Sequence, residues 1–359
     1  MEITKKDVNK IKRLSKDPKI HNKLLNTIAP TIKGYYDVKE AILLSLFMGS
    51  DKQLEDGTNI RRGINILIIH DPSTGMKTLL KNAEELSVPN NLKTVYDINE
   101  VKESVLLELL DSDDSFIALG APIYGRFDKY KILIEQVGLH QNILSKFDLI
   151  FLIEDKPDRD EDTLLADHIL SNYNSISIRD RFDVDFFKKY LTYSNIFYNP
   201  SLGDDANEVL KEFYVATRNS NPEGYAQITV KQLEAIIRLA EASAKIKFKK
   251  VVDKEDAEKA VRLQMACLKE VGVTHETGEI DANITSIKLK SDRDKIQRVT
   301  EEIKLLEEEY AGDAPLNLLL LNMDDKYGVG EDETTMIVSN LISKGVIFKV
   351  RSGYYRRVR

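Results

Sequence analysis

Ile64-Asn-Ile-Leu-Ile-Ile69 runs into the polar loop His70-Asp-Pro-Ser-Thr-Gly-Met76, and a helical stretch follows from about Lys77 to Leu86. A continuous apolar run of this kind cannot alternate faces, so it reads as a strand buried on both sides, with helices packed above and below a parallel sheet. Working outward, Thr94–Tyr96, Phe116–Ala118 and Leu149–Ile153 are three more short apolar runs, the last bounded by Asp148 and Glu154-Asp155. Amphipathic stretches such as Val101–Leu110 lie between them. Strands alternating with helical pattern predict an α/β fold around a parallel sheet.

The length of 359 residues fits two or three domains, and 42% apolar with 31% charged residues is enough to bury real cores. A net charge of −7 excludes a globally basic nucleic-acid coat, so any DNA contact must come from local patches. The single cysteine, Cys267, excludes a disulfide scaffold and a cysteine-based zinc site. The five histidines (His21, His70, His140, His168, His275) are scattered without metal-ligand spacing, so no metal site is expected. No apolar run reaches the length of a membrane span and the first residues lack an apolar leader, so a cytoplasmic protein without membrane contact is expected.

Residues 1–19 are Lys-rich and read as an exposed, helix-prone arm, and 20–183 as the α/β core. After Asp183 the strand pattern disappears, and 184–272 read as an all-helical domain. Within it, Ala206–Arg218 and Gln232–Phe248 are helices. Leu233, Ile236, Ile237, Ala240 and Ala244 form an apolar stripe on the second, and Thr229 with Gln232 makes a capping box. A third helix starts at Asp253, with Val261, Met265 and Leu268 on its buried side. Residues 273–290 are the linker candidate. In 291–359, Ile296, Val299, Ile303, Leu306 and Tyr310 keep helical spacing. Asp313-Ala-Pro315 supplies a second helix start, and Glu331–Lys344 is a third helix. Val346–Val350 and Tyr354–Val358 form a hairpin about Arg351-Ser-Gly353. Three helices and a hairpin predict a winged helix.

Several segments resemble the minichromosome maintenance (MCM) family of AAA+ replicative helicases. They are Thr27-Ile-Ala-Pro-Thr-Ile-Lys-Gly34 continuing to Asp37–Leu44, Ala121-Pro-Ile-Tyr-Gly-Arg-Phe-Asp128, and Ile143-Leu-Ser-Lys-Phe-Asp-Leu-Ile-Phe151. Asp155–Leu170 (Pro157, Asp158, Asp162, Ala166, His168) and Ile228–Ala242 extend the likeness, which covers the chain from about residue 20 onward. The resemblance implies an AAA+ P-loop core, a helical lid and an archaeal-type C-terminal winged helix. It also implies ATP and magnesium as cofactors. About twenty residues separate the loop from Asp97 and a similar number separate Asp97 from Ala121, so the β-hairpin insertions that the resemblance implies in both intervals are expected to be missing, and the family's N-terminal domain is expected to be missing as well.

The chemistry-bearing positions depart from the family pattern. The motif G-D-P-G-T-A-K-S aligns without gaps to His70–Lys77, which puts His70 and Ser73 at its glycines, Met76 at its lysine and Lys77 at its magnesium-binding serine. A lysine about 4 Å from a phosphate charge contributes roughly 4 kcal/mol at an effective dielectric near 20. Its loss corresponds to about a thousandfold in rate. Sliding the loop by one residue would instead offer Lys77 and Thr78 as the Lys-Thr pair. If ATP binds, Asp71, Pro72, Ser73, Thr74, Gly75, Lys77 and Thr78 would cradle it. Carried over from the family, sensor 1 falls on Ala121, the arginine finger on Lys146 and the sensor-2 arginine on Lys231. The nearest acid to a magnesium-binding pair is Asp97, which equally suits a helix cap at a strand end.

Lys344, Lys349, Arg351, Arg356, Arg357 and Arg359 cluster at the C-terminus with Tyr354 and Tyr355 and no acid among them, a candidate for sequence-independent phosphate contact. Lys245-Ile-Lys-Phe-Lys-Lys250 reads as the solvated end of a helix, and His168, Cys267, Tyr35 and Tyr36 as packing residues. The expected protein is a degenerate MCM homologue that needs no cofactor. It is a monomer alone, cytoplasmic (nucleoid-associated in an archaeon), and binds DNA weakly or docks on an active MCM or another replication protein. The alternative is an active ATPase using the slipped loop.

Overall fold

A computed structural model describes residues 3–53, 56–57, 59–127, 136–157, 181–219, 228–272, 298–300, 302–307, 310, 313–327, 334–335, 337–338, 341, 347–351 and 354–357, with 159, 162–163, 165–167 and 170. The chain divides into two compact units, 1–287 and 288–359.

The first unit opens with α1 (Lys5–Leu14), α2 (Ile20–Leu25) and α3 (Tyr36–Phe47), followed by the short antiparallel pair β1 (Lys52–Gln53) and β2 (Asn59–Ile60). Next come β3 (Asn65–His70), α4 (Met76–Leu86), β4 (Leu92–Val95), α5 (Glu103–Leu110), β5 (Ser115–Gly120), α6 (Gln141–Leu144) and β6 (Leu149–Ile153). The four longer strands form one sheet in the order β4-β5-β3-β6, every pair parallel. All six residues of β3 are buried, as they must be in a central parallel strand. On α4 the buried set Met76, Leu79, Leu80, Ala83 and Leu86 follows helical spacing. Gly63 is required just before β3, because a Cβ there would lie 2.3 Å from the Asp114 carbonyl oxygen.

The helical half contains α7 (Val184–Phe197), α8 (Asp204–Asn219), α9 (Val230–Ile246) and α10 (Lys254–Gly272). The Thr229/Gln232 capping box is formed, Thr229 N–H donating to Gln232 Oε1 at 2.8 Å and Gln232 N–H to Thr229 Oγ1 at 3.3 Å. Strands do not end at Asp183, since β7 (Ser201–Leu202) and β8 (Val251–Val252) pair in parallel. Two-residue ladders carry too little apolar pattern to be read from sequence. The inner face of α10 is also rotated from expectation: Ala257, Ala260, Leu263, Cys267 and Leu268 are buried, while Val261 and Met265 are half-buried. Cys267 ties α10 to β6, its thiol donating to the Ile150 carbonyl at 2.8 Å and its sulfur accepting the Ile150 N–H at 3.0 Å.

The N-terminal stretch is helical but not an exposed arm. Ile11 is fully buried, Lys189 on α7 pairs with Asp7 at 3.0 Å, and Lys10 sits 4.1 Å over the Phe186 ring. Nor is the 245–250 segment simply solvated: Lys245 is buried, its Nζ donating to the Gly49 carbonyl at 2.7 Å and the Phe47 carbonyl at 3.4 Å. Burial pulls Lys245 down to about 8, and Lys39 on α3, held by the Ile32 and Ala29 carbonyls at 2.5 and 3.2 Å, is pulled down to about 8 by the same cause. The ordinary lysine value is 10.5, so between pH 8 and 10.5 the unfolded chain holds more protons than the folded one and these two groups make stability rise with pH. Urea unfolding followed across that window should show a smaller rise in a Lys39→Met/Lys245→Met variant than in the natural chain. Equal slopes would disprove the assignment.

In the second unit Val299, Ile303, Leu306, Leu319, Met323, Ile337, Val338, Leu341, Ile347 and Tyr355 form a separate core. The three-stranded antiparallel sheet runs β10 (Ile347–Arg351), β11 (Tyr354–Arg357), β9 (Ala314–Pro315). With the helix Leu316–Tyr327 and the helical residues 298–300, 302–307, 334–335, 337–338 and 341, these are the elements of a winged helix. Ala314-Pro315 is thus strand, not the first turn of a helix, and the helix starts at Leu316. An edge strand tolerates proline, which has no N–H to donate. Tyr310 is 43% exposed and does not join the apolar stripe. Ile296, the 273–290 linker and most of Glu331–Lys344 lie outside the described residues.

Candidate nucleotide site

Parallel sheets present the loops that follow their strands along one edge, and ligands bind there where neighbouring loops diverge. The β3–α4 loop and the residues after β5 meet at that edge and line a cleft of about 430 Å³ with His70, Pro72, Ser73, Gly75, Met76, Lys77, Thr78, Tyr96, Asp97, Gly120 and Ala121. Ser73 (φ 71°) and Gly75 (φ 80°) are both left-handed, and Gly75 is the N-cap of α4. Among the described residues no side chain caps α4, and its first-turn amides have no intrahelical acceptor. Such an end attracts anions.

β3 ends at His70, four residues separate it from Gly75, and Met76 opens the helix. That reproduces the G-x-x-x-x-G-K-[ST] spacing with His70 and Gly75 at the glycines and Met76 in the lysine place. The Met76 side chain is 1% exposed and belongs to the hydrophobic core. Lys77 and Thr78 are exposed and line the cleft. Thr74 spends its hydroxyl inside the loop, donating to the Asp71 carbonyl at 3.0 Å, and Asp71 Oδ2 accepts the Asp155 N–H at 3.0 Å.

Asp97 caps a single 3₁₀ turn (Ile98–Glu100), its Oδ1 accepting the Asn99 N–H at 3.0 Å. Asn99 in turn donates from Nδ2 to the Ala121 carbonyl at 3.2 Å. Asp97 therefore both caps and lines the cleft. Lys146 and Lys231 are not among the lining residues. Lys146 Nζ is held by the Asp111 carboxylate, 2.6 Å from Oδ2, and Lys231 is exposed in the first turn of α9.

Three groups near the cleft had escaped the sequence reading. Glu84 accepts from Tyr96 Oη at 2.6 Å and from Thr94 Oγ1; desolvation and this carboxylate push the Tyr96 phenol up to about 12. Lys39 fastens the loop carrying Ile32, whose Cδ1 is 3.4 Å from where a Cβ on Gly75 would sit. The charged pair Lys39-Glu40 inside the otherwise mostly apolar stretch Val38–Phe47 was the available signal.

The C-terminal cations form a less open set than their clustering implies. Arg356 is paired with Asp313 (2.6 and 3.0 Å) and Arg357 with Glu307 (2.9 Å), so acids absent from the last residues reach the hairpin through the fold. Lys349 and Arg351 are exposed on β10, Arg351 stacking 4.0 Å over Tyr354. Lys344 and Arg359 lie outside the described residues, as does His168. No group of three or more His, Cys, Asp or Glu suited to a metal occurs among the described residues, nor any helix long and apolar enough to cross a membrane.

A parallel sheet whose central strand feeds a phosphate-type loop, joined to a helical lid, defines a P-loop domain of AAA+ type. Residues 7–102 and 97–173 match the MCM P-loop domain and 185–268 the MCM AAA-lid domain, and the chain belongs to the MCM family. It is 29% identical to the minichromosome maintenance protein MCM of Saccharolobus solfataricus across 99% of this chain and 60% of that protein. An uncharacterized MCM-type protein of Methanocaldococcus jannaschii is 28% identical across 99% of this chain and 56% of its own length. DNA replication licensing factor MCM4 of Arabidopsis thaliana is 28% identical across 79% of this chain and 41% of its own. The chain thus spans no more than about 60% of these relatives.

Proposed function

We propose that this MCM-type protein does not hydrolyse ATP and acts as an accessory in DNA replication. The observation that carries the reading is Met76: the residue directly after the phosphate-loop cap is apolar and buried in the core, where the chemistry needs an ammonium at the β/γ-phosphates. Ala121 has no amide to orient an attacking water. Lys146 is engaged within its own chain and lacks the planar fork of arginine. Phosphate release from ATP with magnesium, with or without DNA, should equal that of buffer. The competing reading, an active site slipped to Lys77 and Thr78, draws on their exposure at the cleft. DNA-stimulated turnover abolished by Lys77→Ala would establish it.

The accessory role includes a weak, sequence-independent DNA contact at the hairpin. With Arg356 and Arg357 held by Asp313 and Glu307, Lys349 and Arg351 carry it. Each phosphate contact adds about 0.9 to the salt slope on duplex DNA, so Lys349→Ala/Arg351→Ala should flatten the slope by about 2. Arg356→Ala/Arg357→Ala should flatten it less. The reverse ranking would move the contact to the paired arginines.

A further inference from the structure

We propose that the cleft takes a nucleoside diphosphate without magnesium in preference to a magnesium-bound nucleoside triphosphate, an inference that rests on reading the cleft as a degenerate phosphate site. A phosphate loop has separable parts. Backbone amides hold the α- and β-phosphates, a lysine meets the β/γ charge, and a hydroxyl at the next position ligates magnesium. The first part is retained: left-handed Ser73 and Gly75 shape the loop, and α4 opens without a side-chain cap. The parts serving the third phosphate do not fit it. Met76 is buried and neutral in the lysine place, and Lys77 brings a positive charge where a magnesium ligand would stand.

The charge lining the cleft does not make up for these losses. Apart from His70, Lys77 and Asp97 are the ionisable side chains of charge-bearing type lining the cleft among the described residues, and they cancel. An α-helix N-terminus supplies only about half a positive charge. Magnesium ATP carries no more net charge than free ADP, so the preference turns on fit: magnesium ATP needs an ammonium at its γ-phosphate and a protein oxygen on the metal, and in those two places Met76 is neutral and Lys77 offers no oxygen. Asp97 adds a negative charge to the cleft lining, and its Oδ1 is already committed to the Asn99 amide.

Calorimetric titration of the full chain with ADP and with ATP, each with magnesium and with chelator, tests this. ADP in chelator should bind at least about tenfold more tightly than ATP with magnesium. Asp97→Asn, which keeps the cap because asparagine accepts the same hydrogen bond, should tighten both nucleotides in chelator, ATP more than ADP. Equal or tighter binding of magnesium ATP overturns the inference, as does weakening of magnesium ATP by Asp97→Asn, which would make Asp97 a metal ligand. Absence of binding by either nucleotide at about 1 mM also overturns it. Tight magnesium ATP without phosphate release would sink this inference and leave the loss of hydrolysis standing. Phosphate release would sink the latter.

Discussion

Asp148→Ala should lower the unfolding free energy of the chain by about 3–5 kcal/mol, the range for removing one partner of a buried ion pair. The Asp148 carboxylate is buried at the start of β6, where it accepts from Arg61 Nη2 at 2.8 and 3.1 Å, Arg238 Nη2 at 2.7 Å and the Asn65 N–H at 2.8 Å. It thus joins the approach to β3, the base of β6 and the lid helix α9. Removing it leaves two guanidinium groups facing each other in a low-dielectric site, and desolvation already pulls Arg61 below its ordinary value despite Asp148. Arg238→Met should cost less than half as much, because two arginines on one carboxylate leave an excess positive charge and Arg238 Nε has no acceptor among the described residues. Urea midpoints followed by circular dichroism give the comparison. If Arg238→Met destabilises as much as Asp148→Ala, the charge-imbalance account is wrong.

Met76→Lys should leave phosphate release at the level of buffer. The restored ammonium would supply about 4 kcal/mol at an effective dielectric near 20. An arginine finger is worth about 10³–10⁵ in rate, and the position that the resemblance gives it holds Lys146, tied to Asp111. Groups that act together in a transition state do not rescue one another singly. Met76 is also packed in the core, so the substitution carries a stability cost of its own. Combining Met76→Lys with Lys77→Ser, Ala121→Asn and Lys146→Arg should be the first variant to release phosphate measurably. Turnover by Met76→Lys alone would show that the remaining positions are competent, and would refute the argument from several missing groups.

Much of the fold was legible because burial leaves a local periodic trace. Ile64–Ile69 had to be a two-sided buried strand, and Thr229 with Gln232 could only cap a helix start. The phosphate-loop departures were legible for the same reason: loop, cap and helix start are neighbours in sequence. Pairings too short to carry a repeat, and the rotation of a helix against its neighbours, were not. The ladders β7–β8 and β9–β11 involve two residues each, too few for periodicity, and α10 turned its small residues inward because β6 and its neighbouring helices lie close.

The sequence by itself determined the strand–loop–helix unit, the helical lid, the family and the identity of the residue at each expected catalytic position. Only the tertiary structure decided which charges remain available. Arg356 meets Asp313 across 43 residues, Arg357 meets Glu307 across 50, Lys146 meets Asp111 across 35, and Asp148 gathers Arg61 and Arg238 across 87 and 90. Hydrophobic burial follows a repeat of two or 3.6 residues and is written into adjacent positions. An ion pair depends on which elements the topology brings within a few ångströms, and no local spacing records that.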